Sequence, residues 1–184
     1  MAAVLSSSHF ELFGLPPSFD VDQEQLDSRY RALQRTVHPD RFVNATGRER
    51  RLSMQQATRI NEGYQILKDP LRRGRYLLEL GGYAFDDERH TLSDPGFLME
   101  QMELREALGD IRTASDPLAA LGKVADRIDT DFASLTGELK TRLENSGQDE
   151  QDAVAETLKK MQFFRRLQEE ALELEATLED ELLQ

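Results

Sequence analysis

Apolar residues recur at steps of three and four along almost the whole chain, and no run of alternating β-branched residues interrupts them. A 3.6-residue repeat without a competing two-residue repeat makes helices the regular element that can bury one face. The expected fold is therefore all-α. Breaks in the pattern mark the segments: Pro16-Pro17, Pro39, Pro70, Gly81-Gly82, Pro95, Pro117 and Asn145-Ser146-Gly147 fall where a helix cannot continue or readily ends. Between them the reading gives a short helix from His9 to Leu12, then about Asp22 to Val37, Arg48 to Lys68, and Leu71 to Leu80 with Pro70 at its first turn. Three longer helices follow: Ser93-Asp94-Pro95 to about Ile111, Asp116-Pro117 to Glu144, and Asp149 to about Leu182.

Stripe positions predict how these segments pair. Leu26, Tyr30, Leu33 and Val37 recur at steps of 4, 3 and 4 and share one face. Met54, Ala57, Ile60, Tyr64 and Leu67 supply the facing stripe. Together they predict an antiparallel hairpin whose tip is the loop from Asp40 to Gly47. Residues 1–80 are expected to form one domain with its core in 9–80, residues 81–92 a connector without clear period, and residues 93–184 an antiparallel three-helix bundle.

Charge is divided unequally between these parts. Of a net −12, residues 1–80 carry +2 and residues 81–184 carry −14. An acidic second half repels nucleic acid, and no apolar run approaches the length of a membrane span. Met1 to Ser8 lacks the basic segment and long apolar run of a signal peptide. With no cysteine and three histidines at unrelated spacings, neither a metal site nor a cofactor is expected, and the usage suits a reducing cytoplasm. No G-x-x-x-x-G-K-[ST] run is present to bind nucleotide, and no residue is nominated as catalytic.

Two patterns remain that a plain helical protein does not need. The first is His38-Pro39-Asp40 at the hairpin tip, where rigid elements hold a loop out for binding. With Leu26, Tyr30, Leu33 and Val37 inward, Arg31 and Arg35 lie one turn apart on the solvated face. Arg29 borders this positive stripe and Arg41 extends it past the tip. The second pattern is in Phe97 to Ile111. Phe97, Leu104, Leu108 and Ile111 make an ordinary core stripe, whereas Leu98, Met99 and Met102 fall on the far side beside Glu103, Glu106 and Asp110. Such a helix is either sandwiched in a bundle or offers its second face to a partner. The carboxylates favour the partner, because several seldom enter a core unpaired.

The segment His9 to Leu80 resembles a J-domain, the module of co-chaperones that stimulate chaperone ATPases of the heat-shock seventy (DnaK-like) class. The matching residues are His38-Pro39-Asp40-Arg41-Phe42, the Phe13-Gly14-Leu15 turn, and Ile60-Asn61-Glu62-Gly63-Tyr64-Gln65-Ile66-Leu67-Lys68-Asp69-Pro70. With the Phe97-to-Glu106 segment included, nearly the whole chain resembles the HscB co-chaperones of iron–sulfur cluster biogenesis. The resemblance implies a J-domain that engages an HscA/DnaK-class ATPase through Arg29, Arg31, Arg35, His38, Pro39, Asp40 and Arg41. It also implies a bundle that binds the cluster scaffold IscU through Leu98, Met99, Met102, Glu103, Glu106, Asp110 and Phe163, with Phe163 rather than Phe164 at the surface. Arg41 stands where a J-domain often has Lys, and Gly63 and Gly74 where Ala is usual. The missing cysteines imply that the chain lacks the zinc-binding extension of some eukaryotic relatives and does not itself ligate a cluster. Two other readings stay open: an adaptor for a different client, and a structural or dimerising protein with a seam at Leu167, Ala171, Leu174 and Leu178.

Overall fold

The computed structural model describes residues 8–38, 40, 46–83, 94–145 and 150–183, and every regular element among them is helical. The elements are α1 (His9–Leu12), α2 (Gln23–Val37), α3 (Gly47–Lys68), α4 (Pro70–Leu80), α5 (Pro95–Asp110), a 3₁₀ turn (Ile111–Thr113), α6 (Pro117–Glu144) and α7 (Gln151–Leu182). The chain divides into two compact units between Tyr83 and Ala84. Most of the stretch read as a connector, and Ser146-Gly147, lie outside the described residues.

Side-chain caps start the helices of the first unit where the sequence changes from turn to period. Ser8 and Glu11 form a reciprocal capping box at α1, as Thr46 and Glu49 do at α3. Asp22 accepts the Gln25 amide proton at α2, and Asp69 accepts that of Arg72 at α4. Each cap satisfies a backbone donor that would otherwise be orphaned, an effect worth about 1 kcal/mol.

The α2–α3 hairpin is antiparallel, and its register is carried by polar contacts. Tyr64 donates its hydroxyl proton to Asp27 Oδ1 at 2.8 Å, Tyr30 donates to Asn61 Oδ1 at 3.0 Å, and Ser53 donates to the Val37 carbonyl at 3.0 Å. The Tyr30 and Tyr64 rings stack with centroids 4.0 Å apart. Ser53, not Met54, is the buried residue at this end of α3, and Met54 is 71 % exposed. The expected stripe is corrected there. Two successive steps of three lag about 120° behind a 3.6-residue helix, whereas 53, 57, 60, 64 and 67 alternate steps of four and three and stay on one face.

A helix as short as α1 cannot persist alone, and it is held by Phe10 and Phe13, which enter the core with Leu15, Leu26, Val37, Ile60 and Leu67. Gly63 permits that approach. A Cβ there would lie 2.8 Å from His9 Nδ1 and 3.1 Å from a Phe13 ring carbon. Gly14 turns the chain out of α1 at φ 62°, a backbone region costly for other residues. Arg73 of α4, buried beneath the Phe19 ring, donates to the Leu67 carbonyl at the end of α3.

His9 should give this unit a pH dependence. Its ring packs on Tyr76, its Nδ1 is buried without a hydrogen bond, and burial pushes its pKa below the ordinary 6.5. Arg59 acts in the same direction and Glu62 opposes both. Below pH 6.5 the unfolded chain therefore takes up a proton that the folded one resists, so stability falls as pH falls through that range. The urea midpoint should drop between pH 7 and pH 5.5 in the native chain and drop less in His9→Gln; equal slopes would remove His9 as the cause.

In the second unit α5 runs antiparallel to α6 and parallel to α7. Arg127 of α6 faces Glu100 and Glu103, while Lys160 of α7 binds Asp94 at 3.0 Å and Glu181 binds Arg112 at 2.7 Å. The α6–α7 pair is tied by Gln168 to Asp129 and by Thr157 to Glu138. Squeezed between two partners, α7 buries a wide arc that includes both Phe163 and Phe164. Leu167, Ala171 and Leu178 are buried in the same core and Leu174 is half-buried. The proposed coiled-coil seam is thus already spent inside the bundle.

Candidate partner-binding surfaces

The tip of the first unit is built by the end of α2. Pro39 disfavours helical geometry at the residue before it, and His38 is accordingly extended, with φ −62° and ψ 134°. The Ser53 bond to the Val37 carbonyl anchors the chain just before this turn. Beyond the anchor, the Asp40 amide donates to His38 Nδ1 at 3.3 Å, and the Asp40 carboxylate lies 3.4 Å from the same nitrogen. Both side chains are largely exposed. Pro39, Arg41 and Phe42 lie outside the described residues.

Arg31, Gln34, Arg35 and His38 line one shallow depression. Two arginines of the basic stripe and the histidine of the triplet thus share a surface that a single partner can cover. Gln34, which no motif singles out, donates to the Tyr30 hydroxyl and to Asn61, tying the stripe's inner edge to α3. Arg29 does not belong to this surface. Six positions separate it from Arg35, about 120° around the helix, and its guanidinium reaches the Phe13 carbonyl at 3.5 Å beside Gly14. The expectation that Arg29 borders the stripe is corrected: it braces α1.

On α5 the two-faced pattern appears as read. Phe97, Leu104 and Leu108 are buried, and Ile111 is buried in the 3₁₀ turn that follows. Leu98, Met99 and Met102 are 45 %, 64 % and 72 % exposed, and Glu103, Glu106 and Asp110 are exposed beside them. Contiguous exposed apolar side chains bordered by charge are characteristic of interaction surfaces.

Phe163 departs from its expected surface position: it is 9 % exposed. Its ring meets Phe97 edge-on at 5.6 Å and lies beneath the Arg105 guanidinium at 5.8 Å. Neighbouring positions on a helix differ by only 100°, so a helix gripped from two sides buries both. Phe163 supports α5 from below rather than lining its outer face.

The start of α5 is fixed by charge. Asp94 is bound by Lys160 and caps the helix through the Phe97 and Gly96 amides, and these bonds, that of Lys160 foremost, hold its carboxyl below the usual range. Toward α6, burial and the charge of Asp131 push the Glu100 carboxyl upward, with Arg127 opposing them. Periodicity within α5 could not reveal Arg127, because its relation to α5 exists only across the helix pair. Among the described residues no group of His, Asp or Glu is arranged to hold a metal ion, and no helix is long and apolar enough to cross a membrane.

Comparison with known proteins matches both units. Residues 8–76 fit the DnaJ domain family and residues 93–172 the HSCB C-terminal oligomerisation domain family. The co-chaperone protein HscB homolog of Shewanella oneidensis is 42 % identical over 94 % of this chain and 99 % of its own length; that of Colwellia psychrerythraea is 39 % identical over 95 % and 99 %. Among solved structures, chaperone HscB from Vibrio cholerae aligns with a TM-score of 0.81 at 41 % identity, covering 94 % of this chain and 99 % of that one. Human co-chaperone protein HscB aligns with a TM-score of 0.80 at 32 % identity, covering 90 % and 81 %. With a DnaJ domain and a helical HscB domain in one chain, matched at this identity over nearly full length, the chain belongs to the HscB family of J-domain co-chaperones, which are not themselves catalytic enzymes.

Proposed function

We propose that this chain binds the iron–sulfur scaffold protein IscU, carries it to an HscA/DnaK-class chaperone and stimulates that chaperone's ATPase in the bacterial cytoplasm. The observation that carries the client half is the outer face of α5, where Leu98, Met99 and Met102 are exposed beside Glu103, Glu106 and Asp110. An apolar centre with an acidic border suits a client surface that is apolar with a basic border, since buried apolar contacts supply affinity and complementary charge sets orientation and encounter rate.

The chaperone half rests on Arg31, Arg35 and His38 sharing one depression, with Asp40 beside them. In this reading Pro39 and Arg41, which lie outside the described residues, belong to the same contact. Arginines orient the acidic surface of the ATP-bound chaperone, and the triplet contacts it so as to favour hydrolysis. Hydrolysis then traps the delivered client. Holding both partners on one chain raises the client's effective concentration at the chaperone.

The test is a steady-state ATPase assay with purified HscA-class chaperone, IscU and this chain. Chain and scaffold together should accelerate hydrolysis more than the sum of their separate effects, and a titration should show direct binding of the chain to IscU. Stimulation without IscU binding would instead identify an adaptor for another client. Neither effect would leave a structural protein.

A further inference from the structure

Arg127 of α6 stands at the edge of the α5 outer face with three carboxylates around it. Its Nη2 lies 3.6 Å from Glu103 and 3.9 Å from Glu100, and its Nε lies 3.8 Å from Asp131. All three separations exceed a good hydrogen bond, so one cation is spread over three anions. Asp131 Oδ2 is buried without a hydrogen-bond partner, and Glu100 is more covered than Glu103. Of the three, Glu103 is the one directed to the rim, where it is shared between Arg127 and whatever docks on α5.

We propose that Arg127 is an intramolecular competitor for Glu103, so that α6 sets how much negative charge the α5 face presents to a basic partner. The inference rests on the client reading of that face. Arg127 satisfies the inner acids when the face is empty. A partner cation approaching Glu103 must share the carboxylate with it and is repelled by it. Strong charge contacts are thereby biased toward Glu106, which lies about 60° around α5 from Glu103 on the side away from Glu100, and docking is weaker than the number of acids suggests. Arg127 is a specificity-setting residue that acts through Glu103.

The test is binding of purified IscU to the full chain carrying Arg127→Met, which keeps an apolar stem and removes the charge. Affinity should rise about two- to five-fold at low salt, the range of an exposed ion pair, and the gain should vanish at about 1 M salt. Glu103→Gln should weaken binding more in the Arg127→Met background than in the native chain. A purely structural role predicts the opposite sign, because α5 would lose an anchor. Unchanged or weaker binding by a fully helical Arg127→Met chain would overturn the proposal. If that variant does not fold, the native background still decides: Glu103→Gln should cost less than Glu106→Gln at low salt, and the reverse order would overturn it. No binding of IscU by the native chain would reject the client reading itself and this inference with it.

Discussion

Replacing His38 by Gln should abolish stimulation of the chaperone ATPase while leaving helicity, melting temperature and IscU binding unchanged. The separation of effects follows from where His38 sits. Its side chain is 60 % exposed, and its contacts are with the amide and carboxylate of Asp40, two residues on. Among the described residues, neither contact reaches the core. The anchor of the turn is the Ser53 bond to the Val37 carbonyl, which Gln at position 38 does not touch. An exposed substitution of this kind should alter stability by no more than about 0.5 kcal/mol. What it removes is a rigid imidazole held against Asp40 and beside Arg31 and Arg35. Retained stimulation would sink the assignment of the triplet as the chaperone contact. Lost stimulation accompanied by a lower melting temperature would show that the tip, not its chemistry, had been damaged.

Much of this fold was legible because local signals agreed with one another. Pro39 ended α2, Asp22 and Asp69 preceded helices that they cap, and Pro70, Pro95 and Pro117 each fell in a first turn. Such features act within a few residues of their own position. Long-range packing is where single-sequence reading failed, and always for a geometric reason. Met54 lies off the buried face because two steps of three accumulate a lag that carries it outward. Arg29 is near the stripe in sequence, but it points to the flank that the Phe13 end of α1 occupies. Phe163 is buried beside Phe164 because α7 has two neighbours and therefore more than one buried side.

Gly63 shows the same limit from the other direction. As sequence it is only a poor helix former in a helix, costing up to about 1 kcal/mol relative to Ala. In the fold it is the point where α1 comes close enough for a Cβ to strike His9. Composition was informative about α5 for a different reason. Apolar residues on two faces of a helix, one of them also acidic, conflict with burial of both, and the structure resolves the conflict by exposing the acidic face. Arg127 stayed hidden because its meaning depends on which residues of another helix it meets.

Truncating Leu98 and Met102 together to Ala should weaken IscU binding by at least thirty-fold, roughly 2 kcal/mol, with little change in melting temperature. Phe163→Ala should do the reverse of a clean binding variant. At 9 % exposure, against the Phe97 ring, its loss leaves a cavity and costs about 3–5 kcal/mol of stability. Any fall in affinity would then follow from disturbed support beneath α5. The contrast is diagnostic because all three side chains lie on or against one helix and differ mainly in what covers them. Leu98 and Met102 are 45 % and 72 % exposed, so truncation opens no cavity in the bundle but removes apolar area that a partner would bury. Calorimetric unfolding and a binding titration on the same samples separate the cases. A melting temperature lowered as far as that of Phe163→Ala would return Leu98 and Met102 to the core, and unchanged affinity at unchanged stability would mean that the client docks elsewhere. The predicted result, weak binding by a chain as stable as the native one, requires that the acidic-apolar face of α5 be built for contact rather than for folding.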